Sequence, residues 1–177
     1  CASGMFICAR GPRVLGRLQA RSRQPVVSAT VMSNLGLEKA LGAHNIRLVR
    51  TPVGDKYVLE EMLRRDAVIG GEQSGHVIFR DYATTGDGML TALQVLEAMT
   101  STGADLDQLT DEFQLYPQIL LNVRVKQRKS LEQLPAVQDE IRAAETAFGD
   151  AGRVLVRFSG TEPLARVMVE GPDKEQV

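Results

Sequence analysis

The residues best suited to chemistry lie in a loop near the carboxyl end of the sequence, Arg157-Phe158-Ser159-Gly160-Thr161-Glu162-Pro163. A phosphate dianion is bound by backbone N–H groups, hydroxyl donors and a fixed cation. Arg157 offers a bidentate guanidinium, and Gly160 lets the backbone approach a ligand closely. Ser159 and Thr161 add hydroxyl donors. From the spacing alone, the loop fits an anion site and a plain turn between two strands equally well.

A second polar loop, Gly70-Gly71-Glu72-Gln73-Ser74-Gly75-His76, is rich in glycine. The Glu72 carboxylate accepts hydrogen bonds and the Ser74 hydroxyl donates and accepts them, which suits the hydroxyl groups of a sugar. Gly71 is one of three glycines that free the backbone for close approach. A hairpin turn with polar residues at its tip explains the same composition. In that interpretation His76 is simply a histidine at the start of a strand.

Two further loops carry isolated charged residues. In the stretch 51–57, Asp55 is interpreted as a helix cap, whereas Lys56 at a helix start is unfavourable unless it serves an anion or a partner. The stretch Thr84-Thr85-Gly86-Asp87-Gly88 has one carboxylate, so helix capping explains it better than Mg²⁺ binding. Neither cysteine has a predicted histidine partner. The residues therefore predict no catalytic group and no metal ligand.

Alternating strand and helix patterns must position these loops. Strands are predicted at 25–32, 46–51, 67–72 and 76–79, with helices at 35–41 and from Asp55 onward. The clearest helix has apolar residues at helical spacing that we expect to face a core. These residues are Met89, Ala92, Leu93, Leu96 and Met99. After a polar stretch, a strand at 118–126, a helix at 135–148 and two further strands predict a small α+β unit.

Composition and charge narrow the function classes. The 177 residues are 44% hydrophobic and 24% charged, which is typical of a folded chain with one domain or two small ones. No apolar run approaches the roughly 18 residues of a membrane helix. Two cysteines indicate no disulfide framework, so a reducing, cytoplasmic setting is expected.

The basic start differs from the rest of the chain. Residues 1–24 contain five arginines and no acidic residue, whereas the other 153 residues have a net charge of −6. We expect this start to be disordered or foreign to the fold, with a transit peptide or a nucleic-acid arm as alternatives. Nucleic-acid binding is disfavoured because the body is acidic and aromatic residues do not alternate with the arginines.

Five ordered motifs together resemble the carboxyl-terminal half of the α-D-phosphohexomutases. They are Thr30-Val31-Met32-Ser33-Asn34-Leu35-Gly36, Val53-Gly54-Asp55-Lys56-Tyr57-Val58, the Gly70–His76 loop, the Thr84–Gly88 stretch, and the segment from Arg157 to Glu170. The resemblance covers roughly Pro25 to Val177 and leaves out the basic start. It is far more specific than any one motif, because five motifs occur in the family's order over about 150 residues.

The resemblance implies a domain organisation. Residues 25–104 correspond to the third domain of the family, a three-layer α/β domain. Residues 105–116 are a linker, and residues 117–177 are a truncated fourth domain of the α+β, TATA-binding-protein-like type. Residues 1–24 match neither domain.

The resemblance also implies binding roles. The sugar-recognition loop contains Glu72, Ser74 and Gly71. The phosphate-binding loop contains Arg157, Ser159, Gly160, Thr161 and, nearby, Arg166. Lys56 lies in a loop that faces the family's central cleft.

The implied activity is a mutase reaction that interconverts glucosamine 6-phosphate and glucosamine 1-phosphate. The family uses a phosphoserine in its first domain, Mg²⁺ in its second, and a bisphosphorylated hexosamine or hexose as intermediate or activator. Neither the serine loop nor the aspartate-rich Mg²⁺ loop occurs in this sequence, so we expect the chain to need those two domains as partners and to be inactive alone.

Few residues of the sequence bear on which sugar is bound. Gln73 and the Val-Gly-Asp-Lys-Tyr stretch favour glucosamine phosphate as the bound substrate. A phosphomannomutase or phosphoglucomutase fragment and a stand-alone sugar-phosphate-binding module are the alternatives. No nucleic acid and no membrane is expected as a partner.

Overall fold

The computed structural model describes residues 2–21, 25–127, 130, 133–159 and 162–177. The chain divides into two compact units, Cys1–Leu115 and Tyr116–Val177. Among the described residues, no helix combines the length and the apolar character needed to span a membrane.

The first unit alternates helices with four short strands. Its elements are α1 (Ala2–Arg10), α2 (Pro12–Arg21), β1 (Val26–Thr30), α3 (Leu35–Ala43), β2 (Arg47–Thr51), α4 (Asp55–Arg65), β3 (Ile69–Gly71), β4 (Val77–Phe79), α5 (Gly88–Thr102) and α6 (Leu106–Thr110). The strand order is β2-β1-β3-β4. β1 is parallel to both β2 and β3, and β4 is antiparallel to β3.

Helices cover both faces of this sheet. Successive side chains of a strand point to opposite faces, so β1 sends Val27 and Ala29 into one buried cluster and Val26 into another. The first cluster joins the sheet to α1, α2 and α3, and the second joins it to α4 through Val58 and Met62. The predicted three-layer α/β domain is therefore confirmed.

The predicted disordered start is wrong for residues 2–21. Met5 and Phe6 of α1 and Leu18 of α2 are buried in the same cluster as Val27. The arginines gave the start a polar composition, but residues 5–9 of α1 are all buried, and α2 buries Val14 and Leu18, which lie one turn apart on one face. Residues 1 and 22–24 lie outside the described part of the chain.

The acidic body neutralises arginines of this start. Arg10 pairs with Glu112 at 3.2 Å, and Arg17 pairs with Asp81 at 3.1 Å. Two of the five arginines in the start are therefore paired with carboxylates of the first unit.

The predicted core face of α5 is also wrong for all of its residues except Met99, which packs against the cluster of Ile7, Ala98 and Leu109. Met89, Leu93 and Leu96 are 78%, 59% and 55% exposed, and the buried residues of the helix are Gln94 and Ala98. α5 packs against α1 and α2. Small residues meet at this contact, where a Cβ atom on Gly11 would lie 3.2 Å from the Ala98 Cβ. Because α1 was not expected in the fold, the helix face that it covers could not be identified.

The segment after α5 belongs to the first unit. Asp105 and Gln108 form a capping box at the start of α6, and Leu109 is buried with Ile7 and Ala98. The structure thus places residues 105–115 with the α/β layers, although a separate linker was expected there.

The second unit is an antiparallel sheet with one long helix. Its elements are β5 (Gln118–Arg124), α7 (Pro135–Phe148), a 3₁₀ turn (Gly149–Ala151), β6 (Arg153–Phe158) and β7 (Leu164–Glu170). The strand order is β5-β7-β6, and β7 pairs antiparallel with both neighbours. The fully buried Glu170 accepts a 2.6 Å hydrogen bond from Arg153 Nε. The predicted α+β class is confirmed.

Candidate functional site

The glycine-rich loop lies at the carboxyl end of β3, beside the loops that follow β1 and β2. These loops surround an open concavity of about 290 Å³, lined by Thr30, Met32, Val53, Glu72, Gln73 and Ser74. Ligands of open α/β sheets bind at the carboxyl ends of parallel strands. The predicted sugar-loop residues Glu72 and Ser74 are therefore placed in a concave surface that suits a small ligand.

The backbone of the loop forms a tight hairpin between β3 and β4. The Glu72 N–H donates a 2.8 Å hydrogen bond to the His76 carbonyl oxygen. A Cβ atom on Gly71 would lie 2.6 Å from that same oxygen. Glycine is thus required at this position for close approach of the two strands.

Hydrogen bonds hold both oxygens of the Glu72 carboxylate. Its Oε1 accepts a 2.6 Å bond from the N–H of Gly54, the residue that precedes α4, and its Oε2 accepts a 3.1 Å bond from Ser74 Oγ. A helix N-terminus favours a negative charge, and a bond to a carboxylate is stronger than one between neutral groups. Glu72 is therefore fixed in orientation before any ligand arrives.

Two residues that sequence reasoning treated as structural lie beside Glu72. Asp55 was interpreted as a helix cap, but Gly54 occupies the cap position and Asp55 is the first residue of α4. Asp55 Oδ1 is buried and has no hydrogen-bond partner among the described residues. His76 Nδ1 lies 3.1 Å from Ser74 Oγ. One ligand atom from each of Asp55, Glu72 and His76 lies within 4.8 Å of the others.

A sequence signal for this cluster existed. Asp55 follows β2 and Glu72 follows β3, and the carboxyl ends of parallel strands lie at one edge of a sheet. His76 is brought near by the hairpin and is supported from behind, since a Cβ atom on Gly86 would lie 2.7 Å from the His76 Cβ. The distances between these atoms depend on the conformations of the loops, which cannot be derived from the spacing of residues in the sequence.

Lys56 is not among the residues that line the concavity. Its side chain is 77% exposed and its Nζ lies 3.8 Å from the Glu60 carboxylate one turn along α4. Asp87, in contrast, takes the predicted capping role, because its Oδ1 accepts a 3.0 Å hydrogen bond from the Leu90 N–H at the start of α5.

The second unit brings two predicted phosphate-binding arginines together. Arg157 of β6 and Arg166 of β7 are direct cross-strand partners. The Nε atoms of both are buried and have no hydrogen-bond partner among the described residues. Like charges directly opposite each other destabilise a sheet, and buried guanidinium donors without acceptors are costly. An anion placed between the two guanidinium groups would relieve both penalties.

Ser159 follows β6 directly. It is 4% exposed, its N–H donates a 2.8 Å bond to the Leu164 carbonyl oxygen, and its Oγ accepts a 3.3 Å bond from the Glu162 N–H. The hydroxyl proton of Ser159 remains available to an acceptor. Arg166 Nη2 donates a 3.0 Å bond to Glu162 Oε2. The predicted phosphate ligands Gly160 and Thr161 lie outside the described residues.

The buried thiol of Cys8 is not a nucleophile at neutral pH. Burial, and secondarily the charge of Glu97, raises the pKa of Cys8 from its ordinary value of 9.0 to about 12. The thiolate is the reactive form, so this cysteine is chemically inert in the fold.

Two family models together match most of the chain. Residues 5–116 match the α/β/α domain III of phosphoglucomutase/phosphomannomutase, and residues 120–177 match the carboxyl-terminal domain of the same family. The chain belongs to the phosphoglucomutase/phosphomannomutase family. The expected resemblance is confirmed, and it extends into the basic start, which was expected to lie outside it.

Two relatives named phosphoglucosamine mutases are similar to almost the whole chain. The chain is 62% identical over 173 residues to a phosphoglucosamine mutase of Solibacter usitatus, and 48% identical over 174 residues to one of Koribacter versatilis. These matches cover 98% of this chain but 38% and 37% of the relatives. The chain thus spans less than two fifths of their length.

Solved structures of the family share the fold. An N-acetylglucosamine-phosphate mutase in its substrate complex matches 99% of this chain and 41% of its own, with a TM-score of 0.76 and 22% identity. An Aspergillus fumigatus N-acetylphosphoglucosamine mutase in complex with GlcNAc-6P and magnesium matches 99% of this chain and 43% of its own, with a TM-score of 0.69 and 19% identity.

The described part of this chain does not offer a fitting magnesium site. The Asp55, Glu72 and His76 cluster is the three-ligand group found there. Mg²⁺ prefers an octahedral shell of oxygen ligands and water, whereas this cluster includes an imidazole nitrogen. The family's magnesium chemistry is therefore not assigned to these residues.

Proposed function

We propose that this chain is the sugar- and phosphate-binding part of a phosphoglucosamine mutase. That enzyme is an isomerase which interconverts glucosamine 6-phosphate and glucosamine 1-phosphate by phosphoryl transfer through an enzyme phosphoserine. The 62% identity to such a mutase supports the choice of substrate. The observation that carries the proposal is the Arg157–Arg166 pair, whose buried Nε atoms lack acceptors within the described chain.

The first unit supplies the sugar-binding groups. Glu72 accepts hydrogen bonds from sugar hydroxyls, and Ser74 donates or accepts as the hydroxyl requires. Gly71 keeps the hairpin closed so that these side chains keep their positions. The hydrogen bond from Gly54 to Glu72 lowers the entropic cost of binding, because the carboxylate is already oriented.

The second unit supplies the phosphate-binding groups. Arg157 and Arg166 neutralise the dianion, and Ser159 adds its hydroxyl proton. Gly160 and Thr161 complete the loop by the family resemblance. Lys56 of the first unit is a further candidate for contact with the ligand. These residues bind and orient a sugar phosphate, which is the larger part of what phosphoryl transfer asks of a protein.

The remaining chemistry belongs to two further domains of the full-length mutase. They carry the phosphorylated serine and the ligands of Mg²⁺, which stabilises charge on the transferred phosphoryl group when bound. A bisphosphorylated hexosamine serves as intermediate or activator. We place the enzyme in the cytoplasm, and we expect the 177-residue chain alone to bind hexosamine phosphate without converting it.

Calorimetric titration of the 177-residue chain with glucosamine 6-phosphate tests the binding groups. Loss of one charge-assisted hydrogen bond costs about 1.5–3 kcal/mol, so Arg157→Ala should weaken binding about tenfold or more. The matched control is Arg142→Ala, since Arg142 is an exposed arginine of α7 that pairs with Asp139. Equal affinity of the Arg157 variant and the wild type would contradict the phosphate-binding assignment.

A coupled assay tests the assignment of catalysis to other domains. With Mg²⁺ and a bisphosphate activator present, the chain alone should produce no glucosamine 1-phosphate, and turnover would contradict the proposal. Competing titrations with mannose and glucose phosphates test the sugar. Tighter binding of either would favour phosphomannomutase or phosphoglucomutase specificity instead.

A further inference from the structure

Two side chains beside Glu72, those of Asp55 and His76, have no role in the proposed function. Asp55 is the first residue of α4, Glu72 and His76 lie in the hairpin between β3 and β4, and one ligand atom from each lies within 4.8 Å of the others. Ligand atoms of a tetrahedral Zn²⁺ ion at its usual bond lengths lie roughly 3.3–3.6 Å apart. With Glu72 held by its hydrogen bonds, rotations of Asp55 and His76 that close these separations by up to about 1.5 Å would bring the three groups into coordinating positions.

No ion pair within the described chain involves the carboxylates of the cluster. Asp55 and Glu72 place two carboxylates together, while the neighbouring Lys56 is 77% exposed and extends toward Glu60. Asp55 Oδ1 is buried and accepts no hydrogen bond from any described residue. A buried acceptor without a donor costs about 1–3 kcal/mol, and more when it is charged. The N-terminus of α4 favours the negative charge of Asp55, and a bound cation would in addition supply the partner that its buried oxygen lacks.

Outer contacts already orient two of the three groups. Ser74 Oγ lies 3.1 Å from both Glu72 Oε2 and His76 Nδ1, so one hydroxyl fixes both side chains. The Gly54 N–H holds the other oxygen of Glu72 at 2.6 Å, and Gly86 backs the His76 side chain. Hydrogen-bonded outer groups of this kind orient the ligands of protein metal sites.

We propose that Asp55, Glu72 and His76 bind a divalent transition-metal ion of the Zn²⁺ class. One imidazole nitrogen and two carboxylate oxygens suit such an ion, leave a coordination position open, and discriminate against Mg²⁺. Because Glu72 is shared, the ion and the sugar compete for the same carboxylate. This competition, unlike metal binding itself, rests on the proposed function of the sugar loop.

The two histidines of the chain give a direct test. ZnCl₂ alone is titrated into the 177-residue chain carrying Cys1→Ser, while the ring signals of both histidines are followed by NMR. The ring signals of His76 should shift and saturate at one equivalent, and those of His44, which pairs with Glu112, should not. MgCl₂ at the same concentrations should shift the ring signals of neither histidine. Equal response of both histidines, or no response to Zn²⁺, would overturn the proposal.

Variants separate a built site from loose histidine binding. Asp55→Asn and His76→Gln should each weaken Zn²⁺ binding at least tenfold, whereas the matched control His44→Gln should leave it unchanged. Glu72→Gln serves as a third ligand variant, and the amide spectrum of each variant reports whether the first unit is folded. Wild-type Zn²⁺ affinity in a folded Asp55→Asn or Glu72→Gln chain would contradict the three-ligand site.

A final titration separates this inference from the proposed function. Glucosamine 6-phosphate, added before ZnCl₂, should raise the apparent Zn²⁺ dissociation constant. Zn²⁺ binding that passes the variant tests but is indifferent to the sugar phosphate would support the metal site and contradict the sugar role of Glu72. Normal sugar-phosphate binding in a chain that does not bind Zn²⁺ would contradict the metal site and leave the proposed function supported.

Discussion

The two units support their candidate binding residues by different means. In the first unit, buried apolar clusters cover both faces of the sheet, and Glu72 projects from the carboxyl edge of that scaffold. In the second unit, α7 has no buried residue, and the buried side chains among the described residues are Ser159, Met168 and Glu170. Hydrophobic burial therefore contributes most to the stability of the first unit. Strand pairing and one buried ion pair contribute a larger share to the stability of the second.

This difference bears on how each loop is oriented. The Glu72 loop can rely on a rigid sheet, since core packing is dense and resists local movement. Arg157 and Arg166 are instead positioned by strand register, which places them opposite each other across β6 and β7. Substitutions in the core should therefore affect the first unit strongly, and substitutions of ion pairs should affect the second.

The largest effect is expected from Phe6→Ala. Phe6 is fully buried and joins α1 to the sheet, so truncation should destabilise the first unit by about 3–5 kcal/mol. Hydrogen exchange of the amides, read separately for each unit, measures this loss. Leu121→Ala is the control in the second unit, because Leu121 is 56% exposed. An unchanged first unit would mean that the basic start is not part of its core.

A somewhat smaller effect is expected from Arg153→Met. The substitution leaves Glu170 buried without its 2.6 Å partner, and breaking a buried pair from one side costs about 3 kcal/mol or more. Arg142→Met is the control, since its exposed pair with Asp139 should contribute little. Adding Glu170→Leu to Arg153→Met should recover stability. Loss that persists in the double variant would show that apolar contacts of Arg153, and not its charge, stabilise the sheet.

Periodicity missed α1 and α2 but predicted the elements that follow them well, because strands and helices bury residues at fixed spacing. The α/β order of the first unit and the four elements of the second were predictable for this reason. Which elements pack against each other was less predictable. The apolar residues of α5 surround much of the helix, and the face that α1 covers depends on Ala98, a small residue with a weak hydrophobic signal.

The candidate site divides in the same way. Glu72, Ser74 and Arg157 could be predicted because their motifs carry donors and acceptors of a recognisable kind. The Arg157–Arg166 pairing could have been predicted as well, by pairing residues outward from a turn centred on the Ser159–Leu164 loop. The unpartnered oxygen of Asp55 could not, because whether a first-turn aspartate caps its helix depends on local backbone geometry.

Cys8 provides a pH test confined to the first unit. Burial raises its folded pKa from 9.0 to about 12, so the folded state keeps its proton at pH values where the unfolded chain loses it. This contribution to stability is complete below pH 9 and declines as the pH rises from 9 toward 12. The stability difference between wild type and Cys8→Ala should therefore shrink over that range. A difference independent of pH would mean that the thiol is not buried.

Iodoacetamide labelling at pH 8 checks the same property by another route. Cys8 should be alkylated far more slowly in the folded chain than in urea, because almost none of it is thiolate in the fold. Mass spectrometry of the peptide that contains Cys8 measures the rate, in a chain whose other cysteine is removed by Cys1→Ser. Equal rates with and without urea would contradict the burial of α1.

The smallest effect is expected from Leu93→Ala in α5. Leu93 is 59% exposed, so the substitution should change the stability of the first unit by no more than about 0.5 kcal/mol. If the helical spacing of Met89, Leu93 and Leu96 had marked a core, the loss would instead be about 2–5 kcal/mol. Ala98→Leu is the matched substitution on the covered face, where overpacking should cost about 1–3 kcal/mol. Urea unfolding at two protein concentrations distinguishes these cases, because a large, concentration-dependent loss for Leu93→Ala would mean that a second copy covers this face in solution.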